Sequence, residues 1–380
     1  MPRSDQPVKP WNRFEQHFKH RQLAFLESLL GVEERSPAVI DHAAVRRIIV
    51  VRQHDQLGDF LLSTPVFKAL RGRYPGAEIT AVTRSYTAKV AEHNENIDRV
   101  VPVYEHGGEW TLQRLREVAR LTGARADLTV VLNTVSHSLT SDLIARFATR
   151  GVIVGSEHRP FKGTTRNFFY HINASCLEGE RHQSQRNLDI LRPLGIEGGD
   201  LREHIHITPE ESAWAREHLR TLGREEGRPL IAVHPGAGKA GNRWPAGHFA
   251  AAANTLGAEF GAQIYVTWGR QEGALGDELI AGLERPPLHS LHAEIRRMAA
   301  LLAEADLFLC NDTGVMHVGA AVGTPLAAVF GPTDPALWKP WGEEFVAVRA
   351  EDQRCASVTL EQLLEPARRV LQAGVKKYRI

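Results

Sequence analysis

The stretch RRIIVVRQHDQLGD at residues 46–59 decides the fold, because a short apolar run is followed there by a polar turn. The run RRIIVVRQ (46–53) is rich in β-branched residues, as is typical of a strand buried on both faces of a parallel sheet. The turn leads into a helical pattern that ends near Pro75 and Gly76. A buried strand, a tight turn and a helix form the repeating unit of an α/β protein.

The same alternation continues along both halves of the chain. Further apolar runs predict strands at residues 78–83, 99–103, 127–132, 152–155, 229–236, 263–269, 306–310, 325–331 and 345–350. Strands that alternate with helices imply parallel sheets with right-handed crossovers. We therefore predict an α/β fold with two doubly wound, Rossmann-like domains that face a central cleft.

Changes in composition set the predicted boundaries. We expect an N-terminal extension over residues 1–44, a first domain over 45–210, a second domain over 211–350 and a C-terminal helix within 351–380. The linker is placed at 196–228, which is rich in glycine and charged residues. The last helix has room to pack back on the first domain.

Composition and charge exclude several classes of protein. With 380 residues, 43% hydrophobic residues and a formal net charge of +1, the chain can bury apolar cores and carries no global charge that would attract nucleic acid. Its apolar runs are shorter than the roughly 18 residues that a membrane span needs, and we expect no secretory signal. Three widely spaced cysteines favour the cytoplasm. Histidine pairs without nearby carboxylates or thiols predict no metal site.

Aromatic residues mark the N-terminal extension. Trp11, Phe14, Phe18 and Phe25 would share one face of a helix, with basic residues beside it. Two interpretations are open for this helix. It is either an interfacial helix that lies on an anionic membrane surface or a helix that packs on the body of the protein.

Gly58 and Asp59 form the candidate site of the first domain. Gly58 allows a tight turn, and the first turn of the following helix presents free backbone N–H groups. Two interpretations of Asp59 are open. It either caps this helix, a role worth about 1 kcal/mol, or serves as a catalytic carboxylate.

In the second domain, the loop after the strand PLIAVHPG is a candidate phosphate site. Small residues around Gly236 let backbone N–H groups approach an anion, while His234 begins the loop and Lys239 and Arg243 add positive charge. The alternative is a flexible loop with solvated charges. The pattern is not a Walker A motif, because GxxxxGK[ST] is absent.

Two further turns follow neighbouring strands of the same domain. The turn NDTGVMH at 311–317 places Gly314 at a helix N-terminus, where a bound phosphate is favoured, and GPTDP follows at 331–335. Thr313 and His317 would donate to diphosphate or sugar oxygens. Asp312 would accept from a sugar hydroxyl or cap the helix. Three such turns at successive strand ends predict a nucleotide diphosphate ligand.

The motifs together resemble glycosyltransferase family 9, the group of the ADP-heptose:lipopolysaccharide heptosyltransferases. The matching segments are RQHDQLGDFLLSTPVFKALRGRYPGAEI, HQSQRNLDILRPLG, HPGAGKAGNRWPAGHFA and ADLFLCNDTGVMHVGAAVGTPLAAVFGPTDP, which cover most of residues 46–342. The resemblance implies a GT-B-like fold and an inverting mechanism without metal or cofactor. It also implies an ADP-heptose-like donor, bound by the second domain, and a lipopolysaccharide-core or other glycan acceptor, bound by the first. The expected location is the cytoplasm, with peripheral contact to the inner membrane as an open alternative.

Residue by residue, the resemblance assigns further roles. The family's catalytic aspartate falls on Asp59, which would act as the general base on the acceptor hydroxyl. Its diphosphate-binding block falls on the segment from Asp312 to His317. The stretch that holds adenine and ribose falls on Trp268, Gly269 and Glu272. Glu272 would bond the ribose hydroxyls, unless it is an ordinary acid in the first turn of a helix.

The sequence departs from the family at the position two before Trp244, where the usual basic residue is replaced by Asn242. Either Lys239 or Arg243 would then contact phosphate. In the first domain, the candidates for acceptor binding are Gly58 and the basic residues Arg159, Lys162 and Arg166. The alternative for the three basic residues is a solvated loop.

Three alternatives to heptosyl transfer are kept open. They are a transferase for another nucleotide sugar, a sugar-nucleotide epimerase and a non-catalytic nucleotide-sugar-binding protein.

Overall fold

Two parallel sheets, each of six strands, form the framework of the protein. The structure is a computed structural model that describes residues 25–375 except 26, 54–55, 104–119, 122, 124, 159–163, 176–179 and 290–293. The expectations for the aromatic helix before residue 25, and for Arg159 and Lys162, therefore lie outside the described residues. The predicted α/β fold with two doubly wound domains is confirmed.

The first sheet has the order β3-β2-β1-β4-β5-β6, with every neighbouring pair parallel. Its central strand is buried from its second residue onward because both faces are covered by other elements. The strands are β1 (Arg47–Arg52), β2 (Glu78–Arg84), β3 (Arg99–Val103), β4 (Ala126–Val131), β5 (Thr149–Ser156) and β6 (Ile172–Ala174).

The second sheet repeats this arrangement, with the order β12-β11-β10-β7-β8-β9 and parallel neighbours throughout. If β7 is numbered as the first strand and the sheet is read from the other end, the order is the same as in the first sheet. The strands are β7 (Leu230–His234), β8 (Gln263–Val266), β9 (Leu288–His289), β10 (Leu307–Asn311), β11 (Leu326–Phe330) and β12 (Phe345–Arg349).

Helices cover both sheets. Those of the first half are α1 (Leu57–Leu61), α2 (Thr64–Arg73), α3 (Ser85–Ala91), α4 (Leu139–Ala148) and α5 (Gln183–Asp189). Those of the second half are α6 (Pro209–Thr221), α7 (Ala246–Phe260), α8 (Gly273–Ala281), α9 (Ile295–Ala303), α10 (Gly314–Ala321), α11 (Pro335–Trp338) and α12 (Leu360–Val375).

Three local differences separate the prediction from the structure. The single helix expected after Asp59 is two helices, because Pro65 lies in the first turn of α2 and cannot continue α1. Strands β6 and β9 were missed since they span only three and two residues. The predicted linker contains α6, whose start carries a capping box between Thr208 and Glu211, a signal present in the sequence.

The final helix, α12, packs on the second sheet rather than returning to the first domain. Its buried positions follow a helical spacing and join the core formed by β10, β11 and α7: Leu363, Leu364, Ala367, Val370 and Leu371. Arg368 adds a double hydrogen bond to Glu259 on α7. The apolar stripe explains this choice, since it matches the face of the second sheet that α12 covers.

A buried arginine is one of the residues that join the two halves. Arg296 on α9 donates to both carboxylate oxygens of Glu211 at 2.5 Å and to the carbonyl of His206 at 2.7 Å. It also donates to the carbonyls of Lys89 and Glu92, at the end of α3 in the first half, at 3.1 Å. A residue of the second half thus binds the linker and the first half together.

Candidate active site

The order of strands reverses once in each sheet, between β1 and β4 and between β7 and β10. In open α/β sheets, ligands bind outside the carboxyl ends of the strands at such a reversal. The turn with Gly58 and Asp59 follows β1, and the loops that begin at His234 and Asp312 follow β7 and β10. The predicted site segments therefore lie where the topology favours a ligand.

The N-terminal ends of α1 and α10 meet across the two halves. A Cβ atom added to Gly58 would lie 2.6 Å from Cδ2 and 3.1 Å from Nε2 of His317. A Cβ atom on Gly314 would lie 3.2 Å from Cβ of Leu57 and 3.6 Å from the backbone nitrogen of Gly58. Both glycines are buried or half-buried here, so the close approach of two helix ends depends on them.

Asp59 is the third residue of α1, and its carboxylate serves the helix with one oxygen. Its Oδ2 accepts a hydrogen bond from the backbone nitrogen of Gln56 at 3.0 Å, as in a capping box. The residue is half-buried. Its charge is one of those that raise the pKa of His317, which places the carboxylate at the junction of α1 and α10. The capping and catalytic readings are therefore compatible.

His317 is buried within α10 and pairs with Glu203 of the linker, whose Oε1 lies 2.8 Å from Nδ1. Burial alone would lower the pKa of His317. The charge and hydrogen bond of Glu203, with the charges of Asp312 and Asp59, outweigh burial and raise it. Burial raises the pKa of Glu203, and the charge of His317 partly counteracts that effect.

Asn311 joins the two candidate phosphate loops of the second half, which follow β7 and β10. Its Oδ1 accepts from the backbone nitrogen of Trp244 at 2.8 Å, and its Nδ2 donates to the carbonyl of Pro235 at 2.8 Å. Asn242 also reaches across, because its Nδ2 donates to Oδ2 of Asp312 at 2.9 Å. The two loops therefore share one crevice. Asn242, where the family has a basic residue, is a neutral partner of Asp312 here.

The start of α10 is open to an anion. The helix begins at Gly314 after Thr313, whose side chain makes no capping hydrogen bond. Asp312 does not cap the helix either, since its described partner is Asn242. The first backbone N–H groups of α10 therefore have no side-chain cap among the described residues, which leaves them available to an anion such as a diphosphate.

Glu272 lies over Gly236. A Cβ atom at position 236 would come 2.1 Å from Oε2 of Glu272, so only glycine leaves room for this carboxylate. The same oxygen accepts from the backbone nitrogen of Gly269 at 2.8 Å and lies 3.5 Å from Nε2 of His234. Burial lowers the pKa of His234, and the charge of Glu272 partly opposes the shift. Glu272 is the N-cap residue of α8 rather than an acid inside its first turn.

Trp268 is buried, with 3% of its surface exposed, which leaves little of the indole for an adenine to contact. A Cβ atom on Gly276 would lie 2.5 Å from the indole ring, which shows how tightly α8 packs on it. Its Nε1 is buried and finds no hydrogen-bond partner among the described residues. A ligand that accepts this N–H would satisfy it.

The predicted cations occupy different environments. Lys239 is exposed, while Arg243 is half-buried and donates from Nε to the carbonyl of Ala237 at 2.8 Å. Arg166 donates to the carbonyls of Val32 at 2.8 Å and Tyr170 at 3.3 Å. Two of its N–H groups therefore bond the backbone, and contact with an acceptor would use the remaining N–H groups of the guanidinium.

A buried polar network beside Asp59 escaped the sequence analysis. Arg52, at the end of β1, donates to Oγ1 of Thr134 at 3.0 Å and to the carbonyl oxygen of Asp59 at 3.3 Å. Gln183 and Asn187 of α5 also bond to Thr134, at 2.6 Å each. The available signal was a cluster of polar residues at the end of β1 and at the start of α5. This network lies below the turn that bears Asp59, at the reversal of strand order between β1 and β4.

Among the residues that the structure describes, no group of three or more histidine, cysteine, aspartate or glutamate side chains could hold a metal ion. Within the same part of the chain, no helix combines the length and the apolar character needed to cross a bilayer.

Comparison with known proteins places this site in a family. Lipopolysaccharide heptosyltransferase 3 of Escherichia coli (strain K12) is 28% identical over 297 residues, which cover 76% of this chain and 84% of that protein. A glycosyl transferase of family 9 from Veillonella parvula superposes with a TM-score of 0.75 and 24% identity, covering 86% of this chain and 97% of the other. The Escherichia coli ADP-heptose lps heptosyltransferase II gives a TM-score of 0.68 at 20% identity, covering 86% and 99%.

The family model of glycosyltransferase family 9 (heptosyltransferase) matches residues 114–367, more than half of the chain. This span contains the loops after β7 and β10, α10 and the strand reversal of the second sheet. The expected GT-B-like fold and the glycosyltransferase class are therefore confirmed. The chain belongs to glycosyltransferase family 9.

Proposed function

We propose that this enzyme transfers a heptose from ADP-heptose to a lipopolysaccharide-core acceptor, with inversion at the anomeric carbon and without a metal ion. The relatives named lipopolysaccharide heptosyltransferases support the donor and acceptor classes. One observation carries the proposal. The turn that bears Asp59 meets the uncapped N-terminus of α10 across the two halves, so a base and an anion site face one point.

Asp59 is the proposed base. The oxygen of its carboxylate that does not bond Gln56 takes the proton of the acceptor hydroxyl. The acceptor oxygen then forms a bond to the anomeric carbon as the bond from that carbon to the diphosphate oxygen breaks. Attack from the face opposite the leaving group inverts the anomeric configuration. A positioned base of this kind typically contributes about 10²–10⁴-fold.

The leaving ADP gains negative charge as the sugar departs. The N-terminal amides of α10, the side chain of Thr313 and Nε2 of His317 would stabilise that charge, together with Lys239 or Arg243. Positive charge fixed in these positions supplies what a divalent cation supplies in other transferases. The proposed lack of a metal requirement rests on this compensation.

The remaining donor and acceptor contacts follow from the same picture. Glu272 would bond the ribose hydroxyls with the oxygen that does not accept from Gly269, and the adenine would lie close to Trp268. The acceptor would approach over Gly58 and the polar network around Arg52, with Arg166 beside it. We further propose that the enzyme works on the cytoplasmic face of the inner membrane, where peripheral contact would bring it to its lipid-linked acceptor.

A transfer assay tests this function. The enzyme is incubated with ADP-heptose and a heptose-acceptor core lipid, with and without EDTA, and the anomeric configuration of the product is read by NMR. We expect one inverted product and a rate unaffected by EDTA. UDP-glucose and UDP-N-acetylglucosamine serve as control donors. Preference for a control donor, isomerisation of the donor without transfer, or donor binding without turnover would replace the proposal by one of the alternative functions.

A further inference from the structure

Glu203 lies in the extended segment that connects the two halves and points inward. Along residues 201–206, buried and exposed side chains alternate, and Leu201, Glu203 and Ile205 are the buried ones. The backbone nitrogen of Ile205 donates to the carbonyl of Ala321, at the end of α10, at 2.9 Å. The nitrogen of His204 donates to Oγ1 of Thr64 on α2 at 3.0 Å. Both halves therefore fix the position of Glu203.

The Glu203 carboxylate has one side-chain partner among the described residues, which is His317. Oε1 accepts from Nδ1 at 2.8 Å, and the side chains are only 1% and 6% exposed. Oε2 is buried without a hydrogen-bond partner in the described chain. Burying a carboxylate so incompletely satisfied is costly, and an apolar residue would fill the same space at lower cost. Its placement therefore calls for a role beyond packing.

The other edge of the His317 ring faces the active-site junction. Cδ2 and Nε2 lie against Gly58, immediately before Asp59. Among the described residues, the hydrogen bond of the imidazole is the one that Nδ1 donates to Glu203. With Nδ1 committed in this way, Nε2 is left for a ligand at the start of α10. A neutral ring in this tautomer would present a bare Nε2, which repels an anion, whereas the imidazolium presents an N–H donor.

We propose that Glu203 is a positioning residue that holds His317 as an imidazolium, with its Nε2–H directed at the leaving diphosphate. Glu203 does not touch the substrate and acts through His317. The assignment of the diphosphate as the target rests on the proposed function, but the effect of Glu203 on the imidazole does not. The segment that connects the two halves therefore also contributes a supporting residue to the active site.

Charges from four elements face this imidazole. Glu203 comes from the linker, Asp59 from α1, Asp312 from the end of β10, and His182 from the residue before α5. Burial favours the neutral ring and His182 opposes a second positive charge. Glu203 outweighs both, with help from Asp312 and Asp59, and the pKa of His317 lies above the ordinary 6.5. Removal of the Glu203 charge should therefore bring that pKa down.

The test compares Glu203→Gln, which keeps the shape and removes the charge, with Glu304→Gln in the full-length enzyme. Glu304 is a matched control, because it is a partly buried glutamate paired with Arg216 at 3.3 Å, on the end of α9. Imidazole ¹⁵N NMR, with the signal of His317 assigned from a His317→Gln variant, reports the protonation of the ring. The same variants are assayed for kcat and KM of ADP-heptose from pH 6 to pH 9.

We expect His317 to titrate above the ordinary 6.5 in the wild type and in Glu304→Gln, and its titration to move to lower pH in Glu203→Gln. The kcat of Glu203→Gln should fall by about tenfold or more at pH values above its lowered titration, a loss like that seen when the supporting partner of a metal-bound imidazole is removed. The loss should shrink towards pH 6, where the ring regains its proton. Glu203→Asp should recover part of the activity.

A wild-type His317 that titrates at or below the ordinary 6.5 would overturn the proposal, whatever the enzyme transfers. An unchanged NMR titration in Glu203→Gln would do the same. If Glu203→Gln does not fold, as judged by its thermal transition, the wild-type titration and Glu203→Asp decide the question. If the wild type transfers no heptose but His317 titrates as expected and responds to Glu203→Gln, the proposed function is refuted and the role of Glu203 in holding the imidazolium stands.

Discussion

Gly58 and His317 lie in direct contact although they belong to different halves of the molecule. The nearest ring atom would be 2.6 Å from a Cβ at position 58, a distance at which neighbouring atoms have to move. On its opposite edge, the ring is hydrogen-bonded through Nδ1 to Oε1 of Glu203 at 2.8 Å, and it cannot rotate away from Gly58 without losing this bond. The junction of α1 and α10 therefore tolerates no side chain at position 58.

Replacement of Gly58 by alanine should misplace His317 or Asp59. We expect kcat/KM to fall by about 100-fold, because a displacement near 1 Å can have that effect. Gly72→Ala is the control. Gly72 lies inside α2 with nothing within 4 Å of an added Cβ, so alanine there should leave activity unchanged and stabilise the fold by about 0.5–1 kcal/mol. Equal activities of the two variants would contradict the contact.

Replacement of Asp59 by alanine removes the proposed base. The kcat should fall by at least about 100-fold while ADP still binds in calorimetry. Asp352→Ala controls for the loss of a carboxylate that accepts a backbone hydrogen bond, since Asp352 accepts from the nitrogen of Arg354 at 3.0 Å on the surface. Near-normal turnover of Asp59→Ala would leave this carboxylate with a helix-capping role only.

Replacement of Gly236 by alanine should displace Glu272, whose Oε2 would be 2.1 Å from the new Cβ. If Glu272 bonds the ribose, ADP affinity should fall by about tenfold or more, and Glu272→Ala should have a similar effect. The double variant should then be little weaker than either single variant, because both act on one carboxylate. Gly247→Ala, with open space around its Cβ, is the control. Fully additive losses in calorimetric titrations would refute the shared mechanism.

Replacement of Arg296 by methionine cuts the clamp between the two halves. We expect a loss of about 3–5 kcal/mol in the free energy of unfolding, because Glu211 is left without its cation. Arg220→Met, which breaks an exposed pair with Glu217, should cost less than about 1 kcal/mol. Denaturant titrations measure both. Similar small losses would mean that the clamp contributes little.

The pH dependence of the same pair provides a separate check. Burial would raise the pKa of Glu211, but the hydrogen bonds from Arg296 and Thr208 outweigh it and lower the pKa below its ordinary 4.5. A carboxylate whose pKa is lowered in the folded state stabilises the fold above pH 4.5. That stabilisation is lost as the pH falls through the pKa of the folded state. The difference in stability between wild type and Arg296→Met should therefore narrow below pH 4.5. A constant difference down to pH 3 would count against this pairing.

Most of the strands, the class of fold and the segments of the candidate site could be predicted from the sequence alone. Buried parallel strands appear as short β-branched runs, and the helices between them have their own apolar spacing. The turns around Asp59, His234 and Asp312 could be found because each immediately follows such a run. Segments of two or three residues, such as β9, carry too little periodicity to be recognised.

The tertiary structure decided which residues support those segments. Asn311 and Glu203 are separated from their partners Trp244 and His317 by 67 and 114 positions, so no local spacing marks the pairs. The place of Arg296 between the halves, and the need for glycine at position 58, likewise depend on how two separately wound sheets pack against each other. Local patterns report which face of an element is buried, whereas these contacts depend on what the buried face meets.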